Sequence, residues 1–219
     1  MFQIPLSLFI NATIATIYMV FMASVIATLV GLPLGVILYI TRPHHILEHR
    51  LIHQLFAMIV NVTRSIPFII LMIAVIPLTR KIIGTSIGTQ AAIVPLSLCA
   101  MPFVARIVEN ALLEVNKGLI EAATAMGATH WQIITKVLMS EALPGIINGL
   151  TLTLVTLIGY SAMAGAIGGG GLGDLAIRYG YQRFDTQTMM ITIIIIVILV
   201  QAIQYFGDKI AKKLAHVRG

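Results

Sequence analysis

Apolar stretches long enough to cross a bilayer recur along this chain, and they constrain it more than any other feature. Five can be drawn, over residues 12–40, 53–78, 87–108, 143–167 and 188–206. A hydrocarbon core of ~30 Å takes about 20 helical residues, so each stretch reads as a span and the fold class as an all-α membrane protein with five transmembrane helices. The first exceeds that length and closes on Gly31, Pro33 and Gly35, so it is expected to tilt or kink. Only 10% of the 219 residues are charged and 58% are hydrophobic. Mean hydropathy is +0.99, so a soluble domain of this size would lack the polar surface it needs. The whole of 1–219 is read as one transmembrane domain. Its apolar start, residues 4–40, is too long and lacks the basic lead of a cleavable signal, so no leader is expected.

The formal charge of +6 does not indicate nucleic acid, because the basic residues sit in short clusters between apolar runs. Arg42, Arg50, Lys117, Lys136, Lys209, Lys212, Lys213 and Arg218 fall on one side, and Arg80, Lys81, Arg178 and Arg183 on the other. That bias favours a periplasmic N-terminus and a cytoplasmic C-terminus in an inner membrane, with lipid as an obligatory partner. Arg64 is different. From Ile66 to Leu78 there is only about 20 Å of helix, so the span must begin before Arg64. Its guanidinium then lies within the membrane, either as a functional or bundle-facing group or snorkelling to the headgroups. Arg106 sits at a span boundary with Glu109 and Asn110 one helical turn away as local partners. Pro67 and Pro77 in the second span, and Pro95 and Pro102 in the third, are kink sites that also occur ordinarily in membrane helices.

No catalytic set is present, and no cofactor is expected on this chain. Gly168–Gly171 is not a phosphate-binding loop, since no Lys-Ser/Thr follows at the required spacing. The glycines between 165 and 173 read as mobile or as close-packed backbone, a flexible loop or a gate. His45, His49 and His53 share a helical spacing of four that can hold a metal, but nothing completes a ligand set, and interfacial histidines are the other reading. Cys99, the lone cysteine, reads as packing and permits no intrachain disulfide. All eight acidic residues lie in loops or near span ends. Ion-coupled carriers need a buried carboxylate, so energy is expected from another chain.

Residues 116–139 are long for a connection and read as two short helices. Glu121-Ala122-Ala123 opens a small-residue helix that stops at Gly127, and Thr129-x-x-Gln132 has the form of a capping box. Glu121-Ala122-Ala123-x3-Gly127 resembles the cytoplasmic signature of ABC importer permeases, with Met139-Ser140 departing from its closing Leu-Pro. Thr63 to Ile70, Gly84 to Gly88, Ala91 to Leu96, Glu109 to Glu114 and Gly159 to Met163 further resemble the methionine branch of that family. The resemblance implies a type I importer permease and coupling to the ATPase through Glu121, Ala122, Ala123 and Gly127. It also implies a second copy of the chain, two ATP-binding subunits, an extracytoplasmic methionine-binding lipoprotein, and D- and L-methionine as cargo. In the fourth span Tyr160, Ser161 and Met163 form a polar, polarisable patch, and with Arg64 they are expected to line the translocation path. In the alternative reading Ser161 bonds back to its own helix and Met163 is packing.

Overall fold

A computed structural model describes residues 5–216, so Arg218 lies outside the described residues. Helix α1 runs over Leu6–Ile40, α2 over Arg50–Ser65, α3 over Phe68–Ala74, α4 over Ile76–Ile83 and α5 over Thr89–Leu113. Short helices α6 (Lys117–Ala125) and α7 (His130–Gln132) follow. A π-helical turn, Ile133–Leu138, then leads into α8 (Met139–Ala166). After α9 (Gly171–Leu175) and a second π turn, Ala176–Tyr181, α10 (Thr186–His216) closes the described chain, which contains no strand. Helices satisfy every backbone group internally, which a lipid-embedded chain requires.

Four helical stretches among the described residues are long and apolar enough to cross a membrane by themselves, and taken together the bent pair α2–α3 counts as a fifth candidate span. The second span is therefore not the single helix expected over 53–78: the chain bends by 103° between α2 and α3. The cause is local. Pro67 offers no N–H and disfavours helical geometry in the residue before it, and Ile66 is extended at φ −84°, ψ 123°. A second stop at Val75 precedes α4, where Pro77 sits in the first turn.

Close backbone approaches hold the spans together. A methyl group on Gly31 would lie 2.7 Å from the Met101 carbonyl oxygen, and one on Gly35 would lie 2.5 Å from that of Ala105. The spacing of four on α1 thus lets α1 and α5 run side by side in parallel, the contact that small residues permit in membranes. Gly145 faces Ala111 and Gly149 faces Ile107, so α8 runs antiparallel to α5. Gly207 meets Thr151, with Leu199 and Ile203 beside Leu154 and Ile158, so α10 runs antiparallel to α8. The C-terminal ends of α1, α5 and α10 therefore gather with the starts of α2 and α8 at one end of the bundle, called the docking end after the ATPase contact that the sequence resemblance implies. At the far end the glycine run is packed rather than loose. Gly165 and Gly173 leave no room for a methyl group against Asp174 and Ala162. The Leu172 N–H donates to the buried Thr16 hydroxyl at 2.8 Å, and the Gly88 N–H donates to the Gly168 carbonyl at 2.8 Å.

Residues 116–139 are not two separate short helices. Only α6 stands alone; α7 continues through the π turn into α8 without a break at Met139-Ser140. The histidine spacing also fails as a helical face, because α2 begins at Arg50 and both His45 and His49 lie in the preceding loop. His49 instead caps α2 by accepting the Ile52 N–H, and no group able to hold a metal forms among the described residues.

Candidate functional site

The docking end is built around α6. The Asn116 side chain caps it by accepting the Gly118 N–H at 2.8 Å. At its other end Gly127 takes φ +79°, a left-handed conformation that a side chain would strain. The Gly127 N–H then donates to the Thr124 carbonyl and the Ala128 N–H to the Ala123 carbonyl, both at 3.0 Å, which is a Schellman closure. Immediately after it the expected capping box is present. The Gln132 N–H donates to the Thr129 hydroxyl at 3.3 Å and the Thr129 N–H to the Gln132 side-chain oxygen at 2.8 Å. Backbone geometry thus sets the turn between the two helices.

The faces of α6 divide cleanly. Ala123 is buried in one apolar cluster with Ile133, Ile134 and Leu138, so it fastens α6 to its own chain. Glu121, Ala122 and Gly127 are exposed. Leu119 and Met126 on the same segment and Trp131 on α7 are exposed as well, the last two 81% and 72%. Trp131 escaped the sequence reading, although the only tryptophan in the chain, set just inside the Thr129–Gln132 capping box, was a signal for it.

Behind α6 the docking end carries a polar cluster. Glu109 on α5 is almost fully buried; it accepts a 2.6 Å hydrogen bond from Arg106, and Arg42 stands 3.9 Å away. Arg106 also donates to the side-chain oxygen of Asn61 on α2 at 2.6 Å. Sequence correctly paired Arg106 with Glu109, but the second partner is Asn61, 45 residues away, and Asn110 is exposed. Glu109 lies near a span end as expected, yet it is buried, which position alone did not reveal. Two guanidiniums clamp it, so it is not a free carboxylate of the kind an ion-coupled carrier uses.

Midway along the bundle, Arg64 at the end of α2 opens on a cavity of about 230 Å³ with Ile66, Cys99, Phe103, Thr153, Thr156 and Tyr160 among its walls. The guanidinium lies 5.7 Å from the centre of the Phe103 ring, and Tyr160 stacks on Phe68 at 4.6 Å. Thr153, Thr156, Tyr160 and Met163 follow one another at spacings of three, four and three, a single stripe on α8. The first three border the cavity, while Met163, about half exposed, continues the stripe outside it. Ser161 is buried and donates to its own Ile158 carbonyl at 2.7 Å, so the structure brings Arg64 and Tyr160 together and leaves Ser161 on another face. A second cavity of about 250 Å³ lies toward the far end, between Met72, Thr79, Ser86, Pro95 and Gly169.

Residues 31–213 match the family model of the binding-protein-dependent transport system inner membrane component. The chain belongs to this family. The permease is 52% identical over 215 residues to the "Probable D-methionine transport system permease protein MetI" of Vibrio cholerae, spanning 98% of this chain and 96% of that one. It is 57% identical over 150 residues, 68% of this chain and 69% of the other, to the D-methionine transport system permease protein MetI of Escherichia coli strain K12. Among solved structures, the MetNI methionine ABC transporter in inward-facing conformations superposes with a TM-score of 0.94 at 51% identity, covering 95% of this chain and 97% of that chain. An amino acid ABC transporter with histidines shares the fold at 20% identity, with a TM-score of 0.78 over 94% of each chain. The architecture of this permease is accordingly that of a type I ABC importer subunit.

Proposed function

We propose that this permease is the membrane subunit of an ATP-driven methionine importer, working as a homodimer on two copies of a separate ATPase. The observation that carries this reading is α6 and the turn that follows it: a helix clamped at both ends and anchored through Ala123, with Glu121, Ala122, Met126 and Gly127 exposed and Trp131 exposed on the adjoining α7. An exposed apolar surface on a rigid mount suits a partner protein better than water. The similarity along nearly the whole chain to permeases named for D-methionine supports the cargo, and the transporter match supports the pairing with an ATPase.

In this reading the docking end is cytoplasmic, the N-terminus periplasmic, and a methionine-binding lipoprotein delivers cargo at the far end, where α9 and the packed glycines lie. ATP-driven approach of the two ATPases moves α6 of both copies. The stiff passage through α7 and the π turn transmits that motion to α8, whose stripe from Thr153 to Met163 lines the path with Arg64. Such a switch requires contacts that differ between the two end states. ATP hydrolysis belongs to the partner, and this chain contributes no catalytic group or cofactor.

The test is Ala122→Trp. Ala122 is exposed and small, so indole bulk leaves the isolated fold intact but overpacks a close-fitting groove, at a cost of ~1–3 kcal/mol. The variant is expected to lose ATPase association and ATP-driven uptake together. Retention of both would remove α6 from the coupling role.

A further inference from the structure

Arg64 is a charge at membrane depth with neither a hydrogen-bond nor an ion-pair partner among the described residues, although Arg42, Arg50, Arg80, Arg106 and Arg178 each have one. A guanidinium there is costly unless something anionic or water meets it. The break at Ile66–Pro67 ends α2 just beyond Arg64, and the guanidinium lies over the Phe103 ring of α5. The cavity it opens on joins three kinds of surface: the cation, the hydroxyls of Thr156 and Tyr160, and the apolar walls of Phe103 and Leu157. The Thr156 hydroxyl still has acceptor capacity, because it donates to its own Leu152 carbonyl.

We infer that this cavity is a binding site in the path for a small amphipathic carboxylate, with Arg64 pairing the carboxylate and Phe103 contacting the apolar side chain. The inference rests on the importer reading and assigns the cargo's recognition inside the membrane to named groups. The planar guanidinium fork matches a carboxylate in two parallel hydrogen bonds, while an aromatic wall suits a thioether or aliphatic chain. At about 230 Å³ the cavity is smaller than the ~300–1,000 Å³ sites that hold drug-sized molecules, which restricts it to ligands of amino-acid size. Because passage requires release, one strong ionic contact within an otherwise weak site is the arrangement a path needs. A lipid phosphate is the competing anion for the same guanidinium.

Cys99 lines the same cavity and is the only cysteine of the chain, so it reports occupancy. The permease–ATPase complex in nanodiscs of neutral lipid would be treated with N-ethylmaleimide, and modification of this chain followed by intact mass. L-methionine is expected to slow Cys99 modification about tenfold more effectively than methioninol, which carries a hydroxymethyl group in place of the carboxylate. Arg64→Gln should abolish that difference and Arg64→Lys restore part of it, since lysine keeps the charge and loses the fork. The methioninol comparison needs no variant, so it decides even if Arg64→Gln fails to assemble. Equal protection by both compounds, or none by either, overturns the proposal while leaving the importer reading intact if uptake persists. Protection that appears only with phosphatidylglycerol and ignores methionine assigns Arg64 to lipid and also overturns it. Absence of methionine uptake by the unmodified complex would instead sink the importer reading.

Discussion

Replacing Glu109 by Gln should destabilise the docking end through one neighbour far more than through the other. The carboxylate is buried, with only 2% of its side chain exposed, but its partners are not equally so. Arg106 approaches to 2.6 Å at 23% exposure, whereas Arg42 stands at 3.9 Å and is 43% exposed. A short charge-assisted bond to a buried acceptor contributes ~1.5–3 kcal/mol. A pair at the distance limit with a half-solvated partner contributes ~0–1 kcal/mol. Removing one member of a fully buried pair costs ~3–5 kcal/mol, but here both arginines can turn toward water, so the lower range applies. Double-mutant cycles of Glu109→Gln with Arg106→Gln and with Arg42→Gln, read as chemical unfolding of the detergent-solubilised complex, separate the two terms. The expected coupling is about 2 kcal/mol for Arg106 and under about 1 kcal/mol for Arg42. Equal couplings, or an Arg42 value above the Arg106 value, would refute the reasoning from distance and burial.

Gly35→Ala drives a methyl group to 2.5 Å from the Ala105 carbonyl oxygen and 2.6 Å from the Val108 side chain, so thermal stability should fall by ~1–3 kcal/mol; an unchanged melting midpoint would contradict the close packing of α1 on α5. At the start of α10 the Thr188 hydroxyl, and then its N–H, donate to Asp185 and hold that carboxyl below its ordinary range. A depressed folded value means the stabilisation is present above the ordinary aspartate range and is lost as pH falls through the folded value. Acid titration of Asp185→Asn should therefore show a smaller loss of stability than the unmodified protein in that window, and a larger loss would contradict the cap.

The spans were legible because lipid demands uninterrupted apolar helix, a long-range constraint written plainly in composition. The α6 boundary was legible for the opposite reason: Gly127, Thr129 and Gln132 act on backbone within a few residues, so their spacing alone specifies the turn. What failed needed tertiary information or the outcome of competing local signals. Pro67 marked a kink site, but a kink and a 103° break differ by how the neighbouring helices hold the two halves. The histidine register failed because His49 was spent as a cap, which shifted the helix start. Burial of Glu109, and the reach of Arg106 to Asn61, depend on α1, α2 and α5 converging, which no local pattern records. The patch at Tyr160, Ser161 and Met163 was visible as chemistry, but that Thr153, Thr156 and Tyr160 border a cavity with Arg64 while Ser161 turns away depends on how α5 packs on α8 and where α2 ends.

The central claim is that this permease moves methionine only when a separate chain hydrolyses ATP. The direct measurement is accumulation of radiolabelled methionine by proteoliposomes holding the permease, its ATPase and the binding lipoprotein. Uptake should require ATP and magnesium, persist when sodium and proton gradients are collapsed, and disappear when the ATPase is omitted. Uptake driven by an ion gradient through the permease alone would contradict the account.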